Sequence, residues 1–557
     1  MMRLSSPPSP FKGQTNLKIL VASDAIWHAT GYGIQTRMLC KRLVDDGHTV
    51  YNYAPGAFHL GKAVVDGVTV LSSDFGDDRE GNNTLPYHVM KYQPDLIITW
   101  LDCHGLLGYG MDTTPTWMWA PIDTWPVPQH ELAILSRAEK VLVPSRWGQE
   151  ELRKKGIEAE YVPCGIAPSV YYPDPEAGKK WRRDCGVADD EFLIGMVGMN
   201  SGSPDRKGFG FAFDAIKAFA EEHPKTKAYI HTNAEGANGA INLLELRAEL
   251  GLEGVVFFSP PMGPEGAPEA YLRAAYNAMD VYLHAGGTEG FGVPVVEAQA
   301  CGTRVVATAA TAVTELLGWG CTRCPPLGDM IVNTSTRIAI PSVEHLTNGL
   351  REACARRSHA ASDEVRQRFD FDRIYDETWR PLLAAVPAPV VVERGRRLML
   401  GAGKEQKPGF THHDIQKFHP HIDVAHDLTA FPYPWEDDAW DYVEMSDVME
   451  HLRGDVTAVL DELWRVIAPG GHLFIHTAEA GSWQHHMDPT HVRGFKLNSF
   501  DYYDPEMPAG RTYRYSERGW KIIKRTIDQT GGIVVVMAPR KETAVEERSE
   551  ELEACVL

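Results

Sequence analysis

The chain has 557 residues, too many for one hydrophobic core, so roughly three or four domains are expected. Its 43% hydrophobic and 23% charged residues are those of ordinary globular protein, and no apolar run reaches the ~18 residues of a membrane span. A formal net charge of −20 argues against a broad nucleic-acid surface. The N-terminal MMRLSSPPSPFKGQT has no apolar signal core, so no secretion signal is expected. Nine dispersed cysteines form no disulfide framework, which fits a reducing cytoplasm.

Residues 1–15, rich in Ser and Pro, read as a disordered tail. Leu17–Ala22 (LKILVA) is an apolar strand, followed by Gly31-Tyr-Gly33, an amphipathic helix Ile34–Asp46 and a strand His48–Tyr53. That order implies a parallel sheet. Gly31 and Gly33 precede the helix and offer backbone N–H groups to a phosphate or acceptor. Strands follow at Leu96–Trp100 and Thr116–Ala120. Asp123, in PIDTW, stands just past the second, at the edge where open α/β sheets place ligands; helix capping or turn formation explains it equally well.

Phe192–Gly198 (FLIGMVG) begins a second sheet. Its loop carries Arg206-Lys207-Gly208 ahead of the helix Phe209–Glu222, and adjacent cations there suit a diphosphate leaving group. The plainer reading is two solvated helix-start residues. Strands Lys227–His231 and Val255–Phe258 and the helix Pro268–Met279 lead to Val281–Thr303, VYLHAGGTEGFGVPVVEAQACGT. Gly286, Gly287, Gly290 and Gly292 free a bend, and Pro294 suits the first turn of a helix from Val295 to about Ala300. Glu289 and Glu297 flank the anion position at that helix start. Cys321 and Cys324 form a lone CxxC with no second pair, which reads as structural rather than as zinc binding.

These motifs, in this order, resemble retaining glycosyltransferases of the GT-B fold (group 1, family 4-like). The resemblance implies hexosyl transfer from a UDP- or GDP-sugar to an acceptor hydroxyl with retention. It places Glu289 by the donor sugar, Glu297 on the nucleotide ribose, and Lys207 and Arg206 on the donor phosphates. Gly290, Phe291 and Gly292 would line the donor loop, Gly31 and Gly33 the N-terminal glycine loop, and Asp123 the reacting centre. No convincing Asp-x-Asp motif stands on a strand end, so no metal is expected to be required. The acceptor would be a glycan, lipid or small molecule; a modified DNA base is the alternative, disfavoured by net charge.

Ala385–Glu393 has a linker's character. Beyond it, RRLMLGAGKEQKPGF, THHDI, DYVEMSDVMEHL and APGGHLFIHT resemble a class I S-adenosylmethionine-dependent methyltransferase. The resemblance implies a cofactor pocket at Gly401, Gly403, Asp414 and Asp427. Two departures imply weak binding at best: the glycine motif is reduced, and the Gly403–Asp414 interval is short for the usual first helix. A non-catalytic scaffold or acceptor-binding module is the alternative. His486, Asp488 and His491 read as a polar turn, since no third well-spaced ligand is evident.

The expected architecture is α/β: two Rossmann-like domains of a GT-B glycosyltransferase plus a third, class I methyltransferase-type Rossmann-like domain. Its parts are the tail 1–15, an N-terminal acceptor-side domain 16–173 and a nucleotide-sugar domain 174–385 with a terminal crossover helix. A linker 386–395, a methyltransferase-like domain 396–541 and an acidic tail 542–557 complete the chain.

Overall fold

Apolar runs separated by amphipathic helices build two compact units, Met1–Ala388 and Pro389–Leu557. The computed structural model describes residues 16–55, 57, 62–72, 84–103, 114–260, 266–318, 320–332, 336–356, 362–386, 396–407, 409–527 and 532–541. Both expected tails, and the expected linker beyond Val386, lie outside the described residues.

The first sheet comprises β1 (Lys18–Ala22), β2 (Thr49–Tyr53), β3 (Lys62–Val65), β4 (Val68–Leu71), β5 (Leu96–Trp100), β6 (Thr116–Trp119), β7 (Lys140–Val143) and β8 (Glu160–Tyr161). Their order is β3-β4-β2-β1-β5-β6-β7-β8, parallel except at the β3–β4 hairpin. Ile19, Leu20 and Val21 at its centre are wholly buried, as a parallel strand covered on both faces requires. The helix expected from Ile34 instead begins at Gly31, where the Thr30 hydroxyl accepts the Gly33 N–H at 2.9 Å. Gly31 and Gly33 therefore sit in its first turn rather than before it.

The second sheet has β9 (Phe192–Val197), β10 (Thr226–His231), β11 (Val256–Phe258), β12 (Val281–His284), β13 (Arg304–Thr308) and β14 (Thr322–Cys324). Its order is β11-β10-β9-β12-β13-β14, parallel throughout. An antiparallel hairpin, β15 (Gly328–Val332) and β16 (Thr336–Ile340), follows it. The chain then returns to the first sheet through a helical run from Phe371 to Ala384 that contains a π turn. Trp379 anchors the return: it lies edge-on to Trp119 at 5.1 Å, and Trp119 stacks on Trp100 at 4.1 Å. Arg380 adds an ion pair to Asp46 at 2.9 Å.

The second unit is a seven-stranded sheet of β17 (Arg397–Leu400), β18 (Phe410–Asp414), β19 (Val424–Ala425), β20 (Trp440–Ser446), β21 (Ile467–Ala478), β22 (Trp520–Ile527) and β23 (Gly532–Pro539). The order is β19-β18-β17-β20-β21-β23-β22, with β23 antiparallel to both neighbours. Leu398, Leu400, Val443, Met445, Leu473 and Ile475 share the core that contains Val459, Leu460 and Leu463 of the helix Val456–Val466. No helix forms among the described residues between β17 and β18. Register pairs Met399 with Glu444 on the other sheet face, where the Lys407 ammonium meets Glu444 at 2.5 Å. A charged pair thus stands on the face that a first helix would cover.

Candidate active site

In the first unit, backbone closeness explains the glycines before it explains any ligand. Gly208 has φ +71°, and a Cβ there would lie 2.0 Å from the Ala285 carbonyl oxygen. A Cβ on Gly287 would lie 2.1 Å from the Ala339 oxygen, and one on Gly290 2.6 Å from Pro121 Cβ. The loops after β9 and β12 are thereby clamped together and brought against the loop after β6. Gly287 N–H also donates to the Arg206 carbonyl at 3.0 Å. The helix Val293–Ala300 begins after Gly292 at φ +109°, with no side chain capping its first N–H groups. The neighbouring helix differs: Asp205 accepts the Gly210 N–H at 2.8 Å at its start.

Four predicted residues meet here as two ion pairs. Lys207 Nζ contacts Glu289 Oε1, and an Arg206 guanidinium nitrogen lies 2.9 Å from Asp123 Oδ2. Burial alone would raise the Glu289 carboxyl; Lys207, His284 and Arg206 outweigh it and hold the group down at about 2. Asp123 is pushed up to about 6, by burial and by Asp102 and Glu289, against the opposing pull of Arg206. Glu131 rises to about 7 through burial, Asp123 and Asp102. The Tyr32 hydroxyl donates to Asp102, completing an acidic group on the side of the first sheet.

The other predicted residues are placed differently. Glu297 is 3% exposed and accepts the Tyr276 hydroxyl at 2.8 Å; burial raises its carboxyl to about 7. The Tyr171 hydroxyl lies near it without hydrogen-bond geometry. Phe291 is buried edge-on against Phe369 at 5.7 Å, so its side chain belongs to the core and leaves only its backbone to the loop. A Cβ on Gly33 would strike the His28 carbonyl at 2.3 Å, a packing role, whereas Gly31 faces open space.

Three residues outside the predicted site set also contribute. His284 ends β12 with its ring buried and Nε2 unpartnered; burial lowers it to about 4, so it is neutral. Thr311 holds Glu289 reciprocally, accepting its N–H at 2.9 Å and donating to its carbonyl at 3.0 Å. Glu315 accepts the Arg146 N–H at 2.9 Å, capping a first-sheet helix from the second domain. His284 carried a signal in its place at a strand's C-terminal end beside the glycine bend, and Glu315 in the acidic turn Thr314-Glu315 that follows the strand Arg304–Thr308; Thr311 carried none.

In the second unit, Gly403 N–H donates to Asp414 Oδ2 at 2.9 Å, so two predicted residues do meet. Gly401 turns at φ +65° against Val448. Asp427 points its carboxylate into its own turn, accepting the Thr429 N–H and hydroxyl, both at 2.8 Å.

Residues 191–336 match the family described as glycosyl transferases group 1, and residues 409–475 match the methyltransferase domain family. The chain carries a group 1 glycosyl transferase domain and a methyltransferase domain. The D-inositol 3-phosphate glycosyltransferase of Stackebrandtia nassauensis is 31% identical over 163 residues, 28% of this chain and 35% of that protein. Mannosylfructose-phosphate synthase of Agrobacterium fabrum is 25% identical over 189 residues, 32% of this chain and 40% of that protein. The matched stretch thus spans little more than a third of these relatives. Sucrose-phosphate synthase from Thermosynechococcus elongatus superposes with a TM-score of 0.54 at 20% identity, over 66% of this chain and 100% of that one. Anabaena HepE in complex with UDP-glucose gives 0.50 at 20%, over 66% and 99%. The group 1 domain and the sheet before it share the GT-B fold of these enzymes. Among the described residues no helix is long and apolar enough to cross a membrane.

Proposed function

We propose that the first unit transfers a hexose from a UDP- or GDP-sugar to an acceptor hydroxyl, with retention and without a metal. The observation that carries this is the pairing of Lys207 with Glu289 and of Arg206 with Asp123 beside an uncapped helix start. A donor diphosphate offers both cations and the helix N–H groups one shared anionic partner. Its binding frees Glu289 for the sugar and Asp123 for the acceptor. Transfer breaks the bond from the anomeric carbon to the diphosphate oxygen and joins that carbon to the acceptor oxygen. Asp123, near 6, is poised to take the acceptor's proton at neutral pH. Glu297 is assigned to the ribose, and Gly290, Gly292 and the Phe291 backbone to the donor loop. The protein's free cysteines fit the cytoplasm.

The relatives named above carry phosphate in their acceptor or product names, yet Asp102, Asp123 and Glu131 gather on the acceptor side. Such a group repels a phosphate, so the acceptor is read as an uncharged hydroxyl compound. Incubation with a panel of nucleotide sugars and acceptors tests the reading through freed nucleoside diphosphate. Lys207→Ala is expected to lower turnover by about 10-fold or more, the loss of one charge-assisted hydrogen bond. Glu289→Gln should cut kcat more than donor affinity, because it also releases Lys207 for the phosphates. No nucleotide release from any donor, or an inverted anomeric product, would sink the assignment.

For the second unit we propose an S-adenosylmethionine-type pocket weakened by its missing helix. Gly401, Gly403 and Asp414 fit the methionine and ribose ends, and the group would supply an electrophilic methyl. Asp427, whose Oδ1 is held in its own turn by Thr429, would border the adenine.

A further inference from the structure

The turn at 486–491 acquires in the folded chain the third partner that the sequence spacing did not reveal. His451 ends the short helix Met449–His451 that follows β20, whereas Asp488 and His491 lie beyond β21. One ligand atom from each of the three residues lies within 4.8 Å of the others. The His451 and His491 rings are 4.7 Å apart, and Val492 N–H donates to the Glu450 carbonyl at 2.9 Å, holding the two loops together.

The hydrogen bonds around the cluster fix which atoms remain available. His491 Nδ1 faces the His485 carbonyl at 3.1 Å. A carbonyl only accepts, so Nδ1 carries the proton and Nε2 keeps its lone pair. The Thr490 hydroxyl donates its single proton to Asp488 Oδ1 at 2.6 Å. It must therefore accept from His451 Nδ1, 2.9 Å away, which leaves His451 Nε2 with its lone pair. Asp488 Oδ1 also takes the Thr490 N–H at 2.8 Å, so Oδ2 is the oxygen these bonds leave over. Orientation of a ligating imidazole through its other nitrogen is the usual outer support of a metal site.

We propose that His451, Asp488 and His491 bind a divalent transition-metal ion of the zinc(II) class. Two imidazoles and one carboxylate favour such an ion over magnesium or calcium. Three protein ligands leave one position open for water or a substrate oxygen. Tetrahedral bonds of about 2.0–2.1 Å set ligand atoms roughly 3.4 Å apart, so closure asks for shifts on the order of 1 Å. The exposed turn bearing Asp488 can supply them. The site stands at the C-terminal ends of β20 and β21, the edge of a parallel sheet where ligands gather.

The test uses the full chain, stripped with chelator and titrated with cobalt(II). One equivalent should bind with visible ligand-field absorption, and zinc(II) should displace it. His451→Ala and His491→Ala should each abolish the band. Thr490→Val, which removes the hydroxyl that orients His451 and Asp488 while keeping all three ligands, should weaken binding about 10–100-fold. Circular dichroism checks that each variant is folded. Absence of a stoichiometric band in the wild type, or its persistence when both histidines are replaced, overturns the proposal.

Discussion

Glu289 and Glu297 are one motif in sequence and two different chemical groups in the fold. The first is held at about 2 by the cations around it, and the second is lifted to about 7 by burial. For Glu297 the folded carboxyl binds its proton more tightly than the unfolded one, whose value is near 4.5. Its contribution to stability is therefore full below 4.5 and is lost as pH rises through about 7. The loss is about 3 kcal/mol as an upper figure. Glu297→Gln should remove that slope. Denaturant midpoints of the two proteins should diverge between about pH 5 and pH 8, with the variant gaining at the higher pH. Equal pH profiles would contradict the burial argument. A ribose hydroxyl prefers the ionised carboxylate as acceptor, so donor KM should also fall as pH rises through this range. The eight-residue spacing of the two glutamates was legible in the chain. Tyr276, which meets Glu297 from a preceding helix, was not, because nothing local links the two positions.

At the scale of elements, the glycine bend was legible as a bend, but the reason for each glycine came from distant backbone. Gly287 is fixed by Ala339, at the end of a hairpin that carried no sequence signal, and Gly290 by Pro121. The apolar runs that became β1, β9 and β12 were readable because burial on both faces demands continuous hydrophobicity. Helix starts were less so: Thr30 capping moved one of them to Gly31. Gly208→Ala puts a side chain on φ +71° against the Ala285 carbonyl, so the loop bearing Arg206 and Lys207 must shift. We expect more than the ~1 kcal/mol typical of left-handed strain, together with a marked fall in donor affinity. Gly31→Ala, which meets nothing within 4 Å, should leave the melting temperature unchanged. A Gly208→Ala protein with wild-type melting and donor affinity would show that the clamp does not set the cation loop.

At the scale of the molecule, two units fold around separate cores, and they keep their family patterns to different degrees. The first retains both glutamates and both cations, with Lys207 on Glu289 and Arg206 on Asp123. The second retains its strand order but not its first connecting helix, and Lys407 with Glu444 occupies the face that helix would cover. Under the proposed cofactor reading, the methionine side would rest on a glycine turn without a helix dipole behind it. What remains for a nucleoside is Asp414, already accepting the Gly403 N–H on one oxygen and the Ile415 N–H at 2.7 Å on the other. Those two donors fix its orientation, and its remaining lone pairs suit ribose hydroxyls. Calorimetric titration of the full chain with S-adenosylmethionine should thus give weak binding, with a dissociation constant nearer the millimolar than the micromolar end of the scale. Asp414→Ala should abolish it without altering sugar-nucleotide turnover by the first unit. Micromolar binding lost in that variant would mean that the helix is dispensable and the unit is a working methyltransferase. Weak binding that survives Asp414→Ala would place the nucleoside elsewhere and favour a scaffold for the acceptor.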